Sequence, residues 1–289
     1  LQLEAEFANR GIPVCHTKTL FKDLYVDFTE QPFTRFKVFE KEGLSSLFDT
    51  ELPSIDKTYH SKYDNSVRFV LRLKSGHLIE SVLMPEKNRI TVCLSSQVGC
   101  LRACVFCETG RMGLKQNLSV EEIVGQVVVI SRWIASQPQW LNKNNFSQGD
   151  RVSNIVFMGM GEPLDNLNAV LHSVRIFQDT AGFSIAPKHL TISTSGQLVG
   201  LKKLLDENIQ VSLAVSLHAP TNLLRSQLMP INRQFPLDDL LSFCREFYLR
   251  KKKSVLIQYL LIRDINDKTE HLEKLVDALS GMPIKLNLI

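Results

Sequence analysis

Cys100, Cys104 and Cys107 stand in the spacing C-x3-C-x2-C within the segment Val98-Gly-Cys100-Leu-Arg-Ala-Cys104-Val-Phe-Cys107. Three thiolates on one short loop suit a cubane iron–sulfur cluster and leave its fourth iron without a protein ligand, open to a small chelating molecule. A structural zinc site wants a fourth ligand that closes a tetrahedron. The nearest imidazoles, His77 and His172, show no ligand-like spacing to the cysteines. Three cysteines within eight residues are poorly spaced for disulfides in a chain long enough to build its own core. The pattern therefore points to metal or redox chemistry in a reducing cytoplasm. The bland alternative is a zinc-ribbon fragment or three unrelated thiols.

Such a loop needs a frame. From about residue 90 the chain alternates short apolar runs with amphipathic helical stripes. The runs at 90–95, 154–159, 189–195, 210–217, 254–262 and 284–289 read as six strands, nearly continuous in apolar character. Between them, Ser119-Val-Glu-Glu122 is a capping box ahead of Ile123, Val124, Val127 and Val128. Further stripes run through Leu167–Phe177, Leu237–Tyr248 and Leu272–Leu279. This alternation predicts a parallel sheet of six βα units, two short of the familiar eight: a partial (β/α)6 TIM-like barrel. The cysteine loop follows the first of these strands, at the end where such folds place their chemistry.

The first part of the chain differs. Val67, Phe69, Leu71 and Leu73 alternate with polar positions, Lys74-Ser75-Gly76 supplies a turn, and 78–84 returns, so a β-hairpin is expected. The domains read as 1–60, a small N-terminal α+β extension of unassigned role, 61–88, the hairpin, and 89–289, the barrel. The chain opens on Leu1 and stops at Ile289 inside an apolar run, so it reads as cut at both ends.

Composition sets bounds. With 289 residues, 44% hydrophobic and 22% charged, the chain is long enough for one large domain or one plus a small companion, and is not of disordered or coiled-coil composition. No apolar stretch approaches the ~18 residues of a spanning helix, which excludes an integral helical membrane protein. The net charge of +4 permits a nucleic-acid face without demanding one. Arg245, Arg250, Lys251, Lys252 and Lys253 form a basic patch, but at a helix end before a strand, opposite the catalytic mouth. Arg102, Arg111 and Lys115 in the cysteine loop are better placed to meet RNA.

Together with these cysteines, the blocks Cys93-Leu-Ser-Ser-Gln-Val-Gly-Cys100, Cys107 through Gln126, Phe157-Met-Gly-Met-Gly-Glu-Pro-Leu164, Thr191-Ile-Ser-Thr-Ser-Gly196, Ser216-Leu-His-Ala-Pro220 and Leu228-Met-Pro-Ile-Asn232 resemble the radical S-adenosylmethionine (SAM) enzymes of the RlmN/Cfr family. That family methylates adenosine at C2 or C8 in ribosomal and transfer RNA. The resemblance covers roughly residues 65–289 and is weak before them. It implies one [4Fe-4S] cluster per chain, held by Cys100, Cys104 and Cys107, with SAM on the open iron. Its SAM contacts match Gly161 and Glu162, Ser193, and Ser216, Leu217 and His218, with Glu162 taking the methionine ammonium. Singly these are common features; their recurrence at consecutive strand ends carries the reading.

The implied chemistry is a 5′-deoxyadenosyl radical that abstracts hydrogen from a methylated cysteine, whose carbon radical adds to adenine C2. A second cysteine then releases the product by forming a disulfide while a base takes the C2 proton. Cys93 matches the resolving cysteine, and Glu80, between apolar neighbours, the proton acceptor. A core thiol and a Glu80 pair with Arg68 or Arg72 are the plain alternatives. Cys244 reads as packing and Cys15 as a free thiol. The family's methyl-carrying cysteine lies beyond the sixth strand, where these residues offer none, so SAM cleavage without completed transfer is the expectation. The partners implied are ribosomal RNA, possibly transfer RNA as well, and a small flavodoxin- or ferredoxin-type reductant; no membrane is involved and a monomer is expected. The rivals are C8 methylation, another radical SAM hydrogen abstraction, or an Fe–S protein that binds RNA without turnover.

Overall fold

The computed structural model describes residues 2–9, 11–29 and 51–289. Its frame is one nine-stranded sheet whose order follows the chain. The strands are β1 (Ser54–His60), β2 (Val67–Arg72), β3 (Leu78–Glu86), β4 (Arg89–Cys93), β5 (Asn154–Phe157), β6 (Leu190–Thr194), β7 (Ser212–Ser216), β8 (Val255–Tyr259) and β9 (Ile284–Leu288). β1 to β4 are antiparallel neighbours, and β4 to β9 are parallel. The six parallel strands are those read from the apolar runs. They make a partial barrel, its order ending at β9 without a pair that closes it.

Helices supply the crossovers. They are α1 (Gln2–Asn9), α2 (Cys15–Tyr25), α3 (Glu108–Arg111), α4 (Val120–Ala135), α5 (Pro138–Lys143), α6 (Leu167–Gln178), α7 (Leu198–Asp206), α8 (Asn222–Leu228), α9 (Leu237–Lys251) and α10 (Thr269–Leu279). The capping box forms as read: the Glu122 amide donates to Ser119 Oγ and the Ser119 amide to Glu122 Oε2. Strand period two sorts the faces. Ile155, Phe157, Ile192, Leu213, Val215 and Ile257 join the helix-side core, with Phe157 against Phe177 of α6. Thr91, Cys93, Ser193, Ser216 and Gln258 alternate with them on the other face. The strands therefore look uniformly apolar in sequence but turn one small, partly polar face away from the helices.

The antiparallel region holds one strand more than the hairpin. β1 pairs with β2 from Ser54 to His60. Its residues are almost all exposed, so no hydrophobic alternation announced it; backbone bonds hold this edge in place. Val67, Phe69 and Leu71 of β2 are buried, and Gly76 turns the chain through positive φ as expected. Ahead of the sheet, α2 lays Phe21 and Tyr25 against Gly182 and Phe183 beyond α6. Residues 1, 10 and 30–50 of the N-terminal segment, with Pro32, lie outside the described residues. Among the described residues no helix is long and apolar enough to cross a membrane.

Candidate active site

The cysteine loop leaves the end of β4 and is pinned at several points. Gly99 has φ +78°, and a Cβ there would meet the Gly113 carbonyl oxygen at 1.8 Å, so the loop closes on itself only with glycine. Ala103, between the first two cysteines, also lies in the left-handed region, at φ +50°. The Val105 amide donates to the Leu228 carbonyl (3.0 Å), and Phe106 packs edge-on against His218, 5.0 Å between ring centroids. Arg102 forms a bidentate pair with Asp165, Nε to Oδ2 at 2.7 Å.

Cys100 is buried, and Cys104 and Cys107 are half-buried. Burial pushes Cys100 up to about 11 and Cys104 up to about 12, and the neighbouring thiolates and Glu162 push in the same direction. Cys100 and Cys104, held in the neutral form by burial, would bind iron as thiolates, because a metal cation offsets the charge that burial penalises. Among the described residues no three His, Cys, Asp or Glu side chains close around a single ion. Three thiols on one loop leave a tetrahedral zinc site one ligand short, whereas a cubane cluster with one open iron takes three. The loop therefore fits the cluster.

The ends of β5, β6 and β7 line up beside it. Gly161, φ +101°, lets the chain pass Gln97 where a Cβ would stand 2.6 Å away. Glu162 follows, 3% exposed. Its Oε2 accepts from the amide and hydroxyl of Ser195 (2.8 and 2.7 Å) and its Oε1 from the Leu164 amide (3.1 Å). Burial raises its pKa, and these hydrogen bonds oppose the rise. Every donor here is neutral, so an arriving ammonium would find a carboxylate already oriented and short of positive charge. Ser193 Oγ lies 3.1 Å from Gln258 Oε1 across β7. Beyond Ser216, Leu217 is buried and His218 takes φ +58°. His218 Nδ1 accepts from the Leu260 amide (3.0 Å), which leaves the ring proton on Nε2. Burial, then the nearby Arg225 charge, lowers this histidine to about 4, so it is a neutral donor at pH 7.

Cys93 and Glu80 share one sheet face, because Cys93 pairs with Val82 of β3 and Glu80 stands two residues from Val82. Burial pushes the Cys93 thiol up to about 11, against a hydrogen bond from the Met158 amide. The apolar surroundings expected for Glu80 are not found: its side chain is 44% exposed and paired with Arg68 at 3.3 Å. β2 and β3 extend past the parallel strands, which leaves this face open. No disulfide is present either, all six cysteines being free thiols. Cys244 is buried in the core and Cys15 is exposed, as read. Arg102 is a loop anchor rather than a free RNA contact, since Asp165 occupies it. At the basic patch, Arg250 pairs with Asp206, and Lys251 and Lys253 donate to the carbonyls of Glu207 and Val211.

Four residues outside the sequence reading hold this site together. Gln97 accepts from the Glu162 amide, Ser195 carries the Glu162 carboxylate, and Asn266 donates to the His218 and Leu260 carbonyls. Arg225 is fully buried and reaches the carbonyls of Ser195, Ser216 and Leu217. Gln97 and Ser195 lie inside the quoted blocks, though nothing marked them singly. Arg225 falls between two blocks in an amphipathic stretch, where an arginine reads as solvent-facing.

No protein-family model matches the chain. The dual-specificity RNA methyltransferase RlmN of Campylobacter jejuni (strain RM1221) is 44% identical, over 99% of this chain and 82% of that protein. The protein of the same description from Desulfotalea psychrophila is 38% identical, over 98% and 78%. Among solved structures, a radical SAM methyltransferase from Sphaerobacter thermophilus superposes with a TM-score of 0.90 at 34% identity, over 99% of this chain and 81% of that one.

Proposed function

The chain belongs to the family of the dual-specificity RNA methyltransferases RlmN, and on that premise we propose that it methylates C2 of adenosine in ribosomal RNA, and in transfer RNA as well. Adenine C2 lies between two ring nitrogens and is too electron-poor to attack a sulfonium methyl, so polar transfer fails and a radical route is needed. When bound, a [4Fe-4S] cluster and SAM supply that route through one-electron cleavage to a 5′-deoxyadenosyl radical.

The chain's own residues divide the remaining work. Cys100, Cys104 and Cys107 hold the cluster as thiolates. Glu162 takes the methionine ammonium, its carboxylate fixed by Ser195 and Leu164. Gly161 and Leu217 offer backbone, Ser193 and Ser216 hydroxyls, and His218 a neutral Nε2–H donor. Cys93 is the thiol that releases product, its sulfur bonding to that of the methyl-carrying cysteine as the C–S bond to the RNA breaks, and Glu80 is the group that receives the C2 proton; no cysteine of this sequence is assigned as the methyl carrier. The salt bridge from Arg68 to Glu80 is solvent-exposed, so it is weak and easily displaced when RNA arrives. A small flavodoxin- or ferredoxin-type protein delivers the electron, and the enzyme meets its RNA in the cytoplasm.

The observation that carries the reading is the thiol loop set in electrostatic reach of Glu162 at the strand ends. Anaerobic reconstitution is expected to give a four-iron chain that forms 5′-deoxyadenosine from SAM under a low-potential reductant; stoichiometric zinc without iron rejects the reading. RNA from cells with the gene intact and deleted identifies the product. Loss of 2-methyladenosine on deletion is expected, and loss of 8-methyladenosine instead moves the reaction to C8.

A further inference from the structure

Arg225 leads the side chains that are fully buried in the described protein, by volume. A guanidinium without solvent ordinarily keeps its charge against a carboxylate. Here every hydrogen-bond partner is neutral. Nε donates to the Leu217 carbonyl (3.2 Å) and one terminal nitrogen to Asn232 Oδ1 (3.0 Å). The other reaches the carbonyls of Ser195 (2.6 Å) and Ser216 (3.1 Å).

We propose that Arg225 is the fixed counter-charge of the site, there to hold the negative charge of the three thiolates with their cluster and to favour the cluster's reduced state. This rests on the cluster-binding reading above. The negative groups in its field single out the cysteine loop. Arg225 clamps the Ser216 and Leu217 carbonyls just before His218, whose ring packs edge-on against Phe106 of that loop, and Val105, next to Cys104, is bonded to Leu228 at the end of Arg225's own helix, α8. Cys244 is also near, but it is a lone thiol on the buried face of α9, packed in the apolar core. Glu162 touches it only through Ser195, whose amide and hydroxyl serve the carboxylate while its carbonyl serves Arg225. The clamp on three strand-end carbonyls fixes the cation where it is and lets no side-chain anion neutralise it first.

The consequence is a redox one. The cluster takes one electron from an external low-potential donor, and nothing else is oxidised or reduced. That electron adds one negative charge at the thiol loop, and a buried cation nearby in a low-dielectric interior favours the charged product. Arg225 therefore raises the potential at which the cluster is reduced.

The test is a redox titration of reconstituted protein, with dithionite as reductant and the spectrum of the reduced cluster as readout. Arg225→Met is expected to lower the reduced-to-oxidised ratio at a fixed potential about tenfold, or ~59 mV for one electron. Arg225→Lys, which keeps the charge and loses the fork, is expected to stay near wild type. Asn232→Asp places a carboxylate against the guanidinium without emptying its cavity, and is expected to shift the potential down as well; it decides the matter if Arg225→Met does not fold. An unchanged potential in whichever of these two folds overturns the proposal. So does a Lys variant that falls as far as Met, because the clamp and not the charge would then be at work. A wild-type chain that takes up no four-iron cluster overturns the cluster-binding reading itself, and this inference with it.

Discussion

At the carboxyl ends of β5, β6 and β7 the protein buries one carboxylate and one guanidinium, Glu162 and Arg225, and surrounds both with neutral hydrogen bonds. At the other end of the same barrel, where α9 stops, Arg245, Arg250, Lys251, Lys252 and Lys253 crowd together on the surface. There, Arg250 has Asp206 and Glu246 as partners, and Lys251 and Lys253 are bonded to the carbonyls of Glu207 and Val211. The richer concentration of charge is already compensated by its neighbours and by water. The sparser one is not, and it is the one beside the thiols. What locates chemistry in this molecule is charge that lacks a counter-charge inside a dry site, not the number of charges.

That contrast predicts very unequal responses to mutation. The largest belongs to Cys104→Ala, which leaves two thiols for a cluster that needs three. The four-iron spectrum and 5′-deoxyadenosine formation should both vanish; radical cleavage that persists would show that the loop is not the metal site. Next comes Glu162→Gln. It preserves shape and most hydrogen bonds but removes the charge that meets the ammonium. SAM affinity of the iron-loaded chain should fall about 100-fold, or ~2.7 kcal/mol. Equilibrium dialysis measures it, and an unchanged affinity would place the ammonium elsewhere.

The two ends were not equally legible in the sequence. The cysteine spacing, the six strands and the capping box at Ser119 are carried by local rules of period and spacing, and the structure repeats them. Gly161, Glu162, Ser193 and His218 were found because the blocks that hold them resemble the RlmN/Cfr family and recur at consecutive strand ends. Arg225 and Asn266 were not, because their work is to join segments far apart in sequence: Arg225 bonds to Ser195, thirty residues away, and Asn266 to His218, forty-eight away. No local pattern encodes such a bond. The surroundings of Glu80 were misjudged for another reason. The chain neighbours Ile79 and Ser81 point to the opposite face, so their burial said nothing about the surroundings of Glu80 itself. β1 escaped notice because an exposed edge strand needs no apolar alternation.

His218 sharpens the comparison through pH. Its folded value of about 4 lies below the ~6.5 of an unfolded chain. Between those values the unfolded state holds a proton that the folded state does not, so stability rises with pH through the window. It is fully present above about 6.5 and lost on descent towards 4. From pH 7.5 to pH 5 this one group should account for about 2 kcal/mol of lost stability. His218→Asn keeps an acceptor for the Leu260 amide and suits the left-handed backbone. Urea unfolding of the metal-free chain at both pH values should show the variant losing about 2 kcal/mol less than wild type. Equal losses would mean that the ring is hydrated and titrates normally.

The smallest effect belongs to the basic end, and it is the one that could break the comparison. Arg250 stands half-exposed, with Asp206 at 2.9 Å and Glu246 at 3.5 Å. Exposed pairs of this kind contribute roughly 0–1 kcal/mol and weaken in salt. Arg250→Ala should therefore lower stability by less than about 1 kcal/mol, less still in high salt, and leave 5′-deoxyadenosine formation unchanged. RNA affinity is the sharper readout. Each lysine or arginine that neutralises a phosphate releases counterions, so losing one lowers the steepness of binding against salt by about one unit. If α9's end serves only the fold, Arg250→Ala and Lys252→Ala should leave that slope alone. A slope that drops by one for each would make this end an RNA surface after all, with the substrate reaching around the barrel from the thiol loop to its opposite face.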